Sequence, residues 1–508
     1  MRARNSYLLA LLSGILLLLS YPPFNLEFLA WFAFVPVLIA IYYETKAKRR
    51  GRLKQVVTIC VIPISLWLCS FLGNFLPMVA AWPLGVILAF LLAGQVIDPV
   101  KENGMSQQLP RQDFSYLPSG WQIFLLPIIV TAGEFLLMNI PVVMKVFGAI
   151  GFFSVSRTQW LNPPILQLAS FTGMYGVTFL VWLVNSALAY GIVYYKETKR
   201  ISKQAVTALL VFIIIFVCGW ISLPGVTTGD TTVVIIKVKP STMEREQVNE
   251  LYANLSERSL KYEPEIILWP IWVKREGGGR QQYVGPFADQ YVSFSQKNDV
   301  YLTNGMVTVL PDGRILDHYL AYHLTHAFDG LVPFDLDKIL PEPPGIHVRS
   351  GKFDLLACME TAYTVPARQC VKGGTRFLAG WSGDSTVTGA FPGLLGGNMV
   401  YRAVENRIYT ALFHRDDGCI LVDPYGRIME DIAPEPEIVA GKVAFTDERS
   451  FYSKYGDIFS FIVVALWATL VGYNLYLKRR SPYFFCKRCR TQIEKGTKVC
   501  PVCGKKRR

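Results

Sequence analysis

Eight stretches of this chain are long and apolar enough to fold as helices whose natural solvent is hydrocarbon. They are Tyr7–Phe24, Leu26–Tyr43, Val56–Leu72, Phe75–Ile97, Trp121–Met138, Ile165–Tyr194, Ala205–Leu223 and Ile458–Leu477. Each is about the length that crosses a hydrocarbon layer roughly 30 Å thick. The composition agrees: 18% of the 508 residues are charged, against about 25% in an ordinary soluble domain. Tyr7–Phe24 follows Met1-Arg2-Ala3-Arg4. No small-residue cleavage site ends it, so it reads as a retained helix rather than a signal peptide.

Basic clusters orient the stretches. Lys46, Lys48, Arg49, Arg50, Arg52 and Lys54 lie between the second and third. Lys196, Lys199, Arg200 and Lys203 lie between the sixth and seventh, and Lys478, Arg479 and Arg480 follow the last. With the N-terminus inside, eight crossings put all three clusters in the cytoplasm. The same count puts Pro224–Tyr455 outside a plasma membrane. The expected organisation is a seven-helix membrane domain (1–223), an exoplasmic domain (224–455), an eighth helix (456–480) and a cytoplasmic tail (481–508).

The net charge of +13 is concentrated in that tail, where Lys478–Arg508 holds twelve Lys or Arg and one Glu. Such a run is a topology signal and is attracted to anionic headgroups. No aromatics interleave with it in the manner of a nucleic-acid surface, so nucleic acid is not an expected partner. Cys486-Lys487-Arg488-Cys489 and Cys500-Pro501-Val502-Cys503 form two C-x-x-C pairs. This is the spacing of a zinc ribbon, so Cys486, Cys489, Cys500 and Cys503 are the expected ligands of a structural Zn²⁺. A closed four-thiolate site leaves no open position for catalysis, so a binding role toward a cytoplasmic partner is expected. Cys60, Cys69 and Cys218 read as packing residues within spans. Cys370 and Cys419 lie in the exoplasmic domain, where a disulfide is chemically allowed.

Residues 224–455 alternate strand and helix patterns. Thr231–Val238, Ile266–Leu268, Phe353–Cys358 and Arg376–Trp381 read as buried strands, and Met243–Tyr262 and Asn398–Arg407 as helices. Pro311-Asp312-Gly313 reads as a hairpin turn, and so does Asp423-Pro424-Tyr425-Gly426, flanked by the strand runs Tyr409–Val422 and Arg427–Ile432. A layered α/β domain of this size can bury a real core. Thr388–Gly397 and Glu276–Arg280 are glycine-rich and read as flexible loops, the first as a lipid-touching lid. Phe353–Ala357 is an apolar run that delivers Cys358 to a strand end, followed by Met359 and Glu360. A thiol there is a candidate nucleophile, provided that a base or a positive neighbour makes it a thiolate.

Several motifs together resemble the bacterial apolipoprotein N-acyltransferases. They are Tyr21-Pro22-Pro23-Phe24-Asn25, Leu29-Ala30-Trp31, Gln167-Leu168-Ala169, Gly173-Met174-Tyr175-Gly176 with Asn185, Leu331-Val332-Pro333-Phe334, Cys358 with Glu360, and Arg402-Ala403-Val404-Glu405-Asn406. The resemblance runs from about residue 8 to 477 and implies a membrane-embedded nitrilase-superfamily protein, a carbon–nitrogen hydrolase domain with an α-β-β-α sandwich and a Glu-Lys-Cys triad. It also implies acyl transfer from phospholipid to the Cys as a thioester, then to a lipoprotein's N-terminal amine. The zinc tail lies outside the family pattern.

Carried over residue by residue, the triad is incomplete. The Glu expected after Trp269-Pro270 falls on Ile271, the Lys three residues before Leu331 falls on Phe328, and a supporting Glu falls on Leu336. Only Cys358 matches, with Glu360 as its acidic neighbour, so both are the candidate catalytic residues. His323, His326, Asp329, Lys274 and Glu276 are the polar groups nearest in sequence to the lost positions. They read first as solvated loop groups; the sharper alternative is a Cys358–His326 pair. Two functions follow: an N-acyltransferase of weak or altered activity, or an inactive pseudoenzyme that binds lipid or lipoprotein as a scaffold and recruits a partner through its tail.

Overall fold

The computed structural model describes residues 3–47, 50–71, 121–139, 154–225, 228–237, 245–269, 273–275, 281–283, 289–305, 307–317, 345–382, 391–414, 419–429, 437–480, 483–485, 492–494, 499 and 501–502. In chain order its strands are β1 (Thr231–Ile236), β2 (Ile266–Leu268), β3 (Val273–Arg275), β4 (Gln281–Tyr283), β5 (Tyr301–Thr303), β6 (Val307–Val309), β7 (Ile315–Asp317), β8 (Ile346–Val348), β9 (Gly351–Ala357), β10 (Phe377–Ser382), β11 (Tyr409–His414), β12 (Ile420–Val422), β13 (Ile438–Val443), β14 (Tyr483–Phe485) and β15 (Gln492–Glu494).

Two large sheets form the α/β half. One runs β13-β1-β2-β5-β6-β7, the other β12-β11-β10-β9-β8. Their centres, β1-β2-β5 and β9-β10-β11, are parallel, and the outer pairings are antiparallel. The period-two alternation of a strand explains the layers. Val233, Ile235 and Leu268 meet Phe353, Phe377, Ala379, Tyr409 and Ala411 in a core between the sheets. The intervening Val234, Ile236 and Ile267 face outward, onto Tyr252, Leu255 and Tyr291 of the helices Arg245–Ser259 and Asp289–Asn298. On the other side Leu356, Leu378 and Leu412 lie under the helices Thr364–Lys372 and Phe391–Asn406. The result is an α-β-β-α sandwich. That second helical layer shares one continuous core with the apolar N-terminal half, reaching Ala10, Val37, Met174 and Val181.

Seven of the eight expected apolar helices fall among the described residues: Ala3–Ser20, Val35–Lys46 with the turn Glu27–Trp31 before it, Arg50–Phe71, Leu125–Asn139, Met174–Thr198, Lys203–Ile221 and Ile458–Arg480. Phe75–Ile97 lies outside them. Among the described residues, three helical segments are long and apolar enough to cross a membrane: Glu27–Lys46, Met174–Thr198 and Lys203–Ile221. They differ in place. The apolar window of Met174–Thr198 is 78% buried, that of Lys203–Ile221 only 17%. The first is the hub of the bundle. The second turns Val206, Leu210, Ile213, Ile214 and Trp220 outward, a face suited to lipid.

Three expectations need correction. The sixth stretch is not one helix from Ile165: Pro163–Leu166 and Ala169–Thr172 are single turns, and the long helix starts at Met174. Gly173 makes the break at φ +65°, where a Cβ would stand 2.6 Å from the Tyr452 ring, so this position is restricted to glycine. The glycine-rich stretch at 388–397 is not a lid over its described part, because Phe391–Gly397 opens the helix Phe391–Asn406. Its glycines serve close approach: a Cβ on Gly393 would lie 3.0 Å from Pro22, and one on Gly397 3.2 Å from Trp160. Tyr409–Val422 is two antiparallel strands, β11 and β12, rather than one. Strands β8 and β13 and the helices Asp289–Asn298 and Thr364–Lys372 were not expected. Cys370 is buried in the last of these, and Cys419 is half-buried before β12.

Candidate active site

The parallel strands of both sheets point their carboxyl ends to one end of the sandwich. Trp381, on β10, lies there against Gly305, in the turn after β5, where a Cβ added to Gly305 would stand 2.5 Å from the indole. The chain leaves β2 at this end through Trp269, which is buried, stacked on Tyr252 at 5.0 Å and donating its indole N–H to Ser256 Oγ at 3.0 Å. β9, with its neighbour β10 in parallel register, ends at Ala357. Cys358 opens the 3-10 turn Cys358–Ala362 that follows.

Three side chains hold that turn. Glu360 reaches back so that its Oε2 accepts the Ala357 N–H at 2.8 Å, a capping contact that ties the turn to the strand end. Asn398 Nδ2, from the helix Phe391–Asn406, donates to Thr361 Oγ1 at 3.0 Å. Arg157 Nη2, from the apolar N-terminal half, donates to the Ala362 carbonyl at 3.2 Å. Glu360 is 2% exposed, and its Oε1 has no hydrogen-bond partner among the described residues. Burial pushes its pKa well above the carboxylate range, against the pull of the Ala357 N–H.

Beneath the turn lies a buried polar junction between the two halves. Arg402 Nη2 and Glu405 Oε2 form an ion pair at 2.7 Å with both side chains fully buried. Glu405 Oε1 accepts the Met174 N–H at 2.8 Å, at the start of the long apolar helix. The Arg157 guanidinium stands 5.1 Å from the Tyr401 ring centre, and Tyr401 donates its O–H to the Ser156 carbonyl at 2.6 Å. Burial and the neighbouring Arg402 lower the Arg157 pKa to about 10. Burial raises that of Glu405, with Arg402 opposing. A second tie reaches the last helix: Arg368 pairs with Asp457 at 2.7 Å, and Tyr452 donates its O–H to the same carboxylate at 2.7 Å.

Among the expected site residues, the structure brings Cys358 and Glu360 onto one turn. Lys274 lies on β3, paired with Gln282 of β4. Ile271, His323, His326, Phe328, Asp329, Leu336, Glu276 and the four tail cysteines Cys486, Cys489, Cys500 and Cys503 lie outside the described residues. Sequence reasoning missed Arg157 and Asn398. The signal for Arg157 was an isolated cation in Ser154-Val155-Ser156-Arg157-Thr158-Gln159, a polar island between two apolar stretches.

The molecule is thus a candidate thiol-bearing α-β-β-α sandwich fused to a bundle of apolar helices. Residues 13–187 match the family model of the apolipoprotein N-acyltransferase N-terminal domain. The chain is 24% identical to the apolipoprotein N-acyltransferase of Geobacter metallireducens over 94% of its own length and 96% of the relative's. It is 22% identical to that of Thermotoga maritima over 92% and 93%. Among solved structures it is similar to an amidase from Nesterenkonia sp. AN1 (14% identity, TM-score 0.32, 45% of this chain and 94% of the amidase). It is also similar to Saccharomyces cerevisiae Nit3 of the nitrilase superfamily (18%, TM-score 0.32, 42% and 90%).

Proposed function

We propose that this protein acts in lipoprotein N-acylation at a plasma membrane, with Cys358 as the acyl-accepting thiol. The observation that carries the proposal is the placement of Cys358 at the carboxyl end of a central parallel strand, on a turn held from the apolar half. Covalent acyl transfer needs a nucleophile held in fixed geometry. The Cys358 sulfur attacks the ester carbonyl of a phospholipid; the C–O bond breaks, and the lysophospholipid alcohol leaves with the proton. The amine of a lipoprotein then attacks the thioester, the C–S bond breaks and the thiol returns. Both substrates are lipid-anchored, which suits a sandwich that shares its core with apolar helices. The basic clusters favour an exoplasmic sandwich and a cytoplasmic tail.

Ile271 and Phe328 replace the charged members of the family triad. A general base contributes about 10²–10⁴-fold, and an oxyanion donor about 10²–10³-fold. The reaction is therefore slow. The same two residues favour the second reading, a scaffold that binds lipid or lipoprotein without turnover and recruits a partner through its tail. One experiment separates them. The purified full chain is incubated with phospholipid and examined by mass spectrometry for an acyl adduct on Cys358. An adduct that hydroxylamine removes, with transfer to a lipoprotein peptide, supports the enzyme. An unmodified Cys358 whose alkylation breaks only near the free-thiol pKa, about 8.5, overturns it in favour of the scaffold. A break near pH 6 that His326→Ala abolishes would identify a Cys–His pair as the activating device.

A further inference from the structure

We propose that the short helix Phe451–Tyr455 and the turn Ala169–Thr172 form one rigid aromatic ridge that lies in the headgroup layer of a phospholipid membrane. Its basis is the reading of the apolar helices as membrane-spanning, and the chemistry at Cys358 does not enter. Phe171 and Tyr455 each keep 59% of their surface open, and Phe451 keeps 43%. Their rings run in one series: Phe171 lies 6.3 Å from Phe451, the two planes 28° apart, and Phe451 lies 4.6 Å from Tyr455. Folding ordinarily buries neighbouring aromatic rings. A contiguous series left outside marks an interaction surface.

Place in the fold selects the partner. Phe171 stands just before the long helix Met174–Thr198, and Tyr455 just before the helix Ile458–Arg480. The ridge therefore sits where two helices of the bundle begin, next to the sandwich. A third helix ends there. Gly219 of Lys203–Ile221 packs on Pro164, where an added Cβ would stand 1.9 Å from the carbonyl oxygen, and the adjoining Trp220 and Ile221 point outward. The ridge thus continues the outward apolar face of Lys203–Ile221. From Phe451 to Ile458 the exposed positions are Phe451, Lys454, Tyr455 and Ile458, while Tyr452, Ser453, Gly456 and Asp457 are buried. Aromatic rings with a lysine among them suit the boundary between acyl chains and phosphates. The rings are favoured at headgroup level, and the lysine lays its stem on apolar surface while its charge meets phosphate. The ridge is fixed to the sandwich. Tyr452 and Arg368 both bond Asp457 at 2.7 Å, the Ser450 hydroxyl donates to the Glu405 carbonyl, and the Tyr452 ring closes on Gly173. Immersing the ridge therefore sets the height of the whole sandwich above the acyl chains.

The test uses the full chain in vesicles of phosphatidylcholine and phosphatidylglycerol, with a photoreactive residue at one position at a time. Phe451→p-benzoylphenylalanine and Phe171→p-benzoylphenylalanine should each give a phospholipid adduct on illumination, read by mass spectrometry; two positions guard against one variant that fails to fold. Phe461, exposed on the last helix, is the control for the membrane span, and Ile315, exposed on β7 of the sandwich, is the control for apolar exposure in water. The same substitution should give a lipid adduct at 461 and none at 315. A lipid adduct at 461 with none at 451 and 171 would overturn the ridge and leave the membrane reading standing. None at any of the three would overturn both. Adducts at 451 and 171 to protein, whether a second copy of the chain or another partner, or an equal lipid yield at 315, would also overturn the assignment.

Discussion

Replacing Glu405 with Gln tests the buried junction under the Cys358 turn. The amide oxygen keeps an acceptor for the Met174 N–H, now 2.8 Å from Glu405 Oε1, so the backbone contact survives. What disappears is the carboxylate paired with Arg402, in a site where both side chains are fully buried and Arg402 Nε and Nη1 have no acceptor among the described residues. Removing one partner of a buried pair costs about 3–5 kcal/mol. Burial already disfavours the Glu405 charge, as its raised pKa records, which places the loss near the lower end, about 3 kcal/mol. At about 2–4 °C per kcal/mol for a domain of this size, the apparent midpoint should fall by about 6–12 °C. The assay is tryptophan fluorescence of the detergent-solubilised chain, heated at one fixed scan rate because unfolding of such a protein is under kinetic control. Arg402→Met combined with Glu405→Gln removes both charges and should recover most of the loss. An unchanged midpoint in the single variant, or a double variant less stable than the single one, would refute the reasoning.

Two further outcomes follow from the carboxylates of β9 and its turn. Burial raises the Asp354 pKa from 3.8 to about 6, although the Thr375 hydroxyl donates to it; a raised folded-state pKa gives stability that is present below pH 4 and lost as pH rises through 6. Asp354→Asn should therefore stabilise the chain by about 3 kcal/mol at pH 7 and flatten its stability between pH 4 and 6, and denaturation midpoints at pH 4 and pH 7 that differ as much as in the wild type would contradict this. Glu360→Gln retains an acceptor for the Ala357 N–H and removes a charge that burial disfavours, so stability at pH 7 should hold or rise. Glu360→Ala leaves that N–H without its partner, at about 1–3 kcal/mol, and should loosen the turn, read as faster hydrogen exchange at Thr361–Tyr363; equal behaviour of the two variants would show that Glu360 does not hold the turn.

Much of this architecture was legible in the residues. Thr231–Ile236 is β-branched throughout, and any six-residue strand of that kind must bury both faces, as β1 does. Cys358 was recognisable at a strand end because an apolar run stops there and a short polar turn begins. What stayed illegible depended on distant partners. The glycines of Gly393–Gly397 signal either flexibility or close approach, and only Pro22 and Trp160, hundreds of residues away, decide for the second. Arg157 gains its meaning from the Ala362 carbonyl, 205 residues along the chain. β13 was missed because Gly441 and Lys442 dilute its alternation, and its place beside β1 is fixed by pairing rather than by propensity.

The shared core has a consequence for how the site works. In a free-standing sandwich the outer helical layer would face water, and its exposed face would be polar. Here that layer carries Leu394, Leu395, Tyr401 and Val404 as buried residues, continuous with the apolar helices. Separated from the N-terminal half, the sandwich would expose this face together with a buried ion pair, so it should not persist as a soluble unit. Shape and charge are then coupled. Arg157 holds the end of the Cys358 turn, Glu405 holds the first N–H of the central apolar helix, and the Arg368–Asp457 pair holds the start of the last one. A rigid-body tilt of the sandwich against the helices would break all three contacts at once. The position of the Cys358 turn relative to the apolar helices is therefore set by the fold itself.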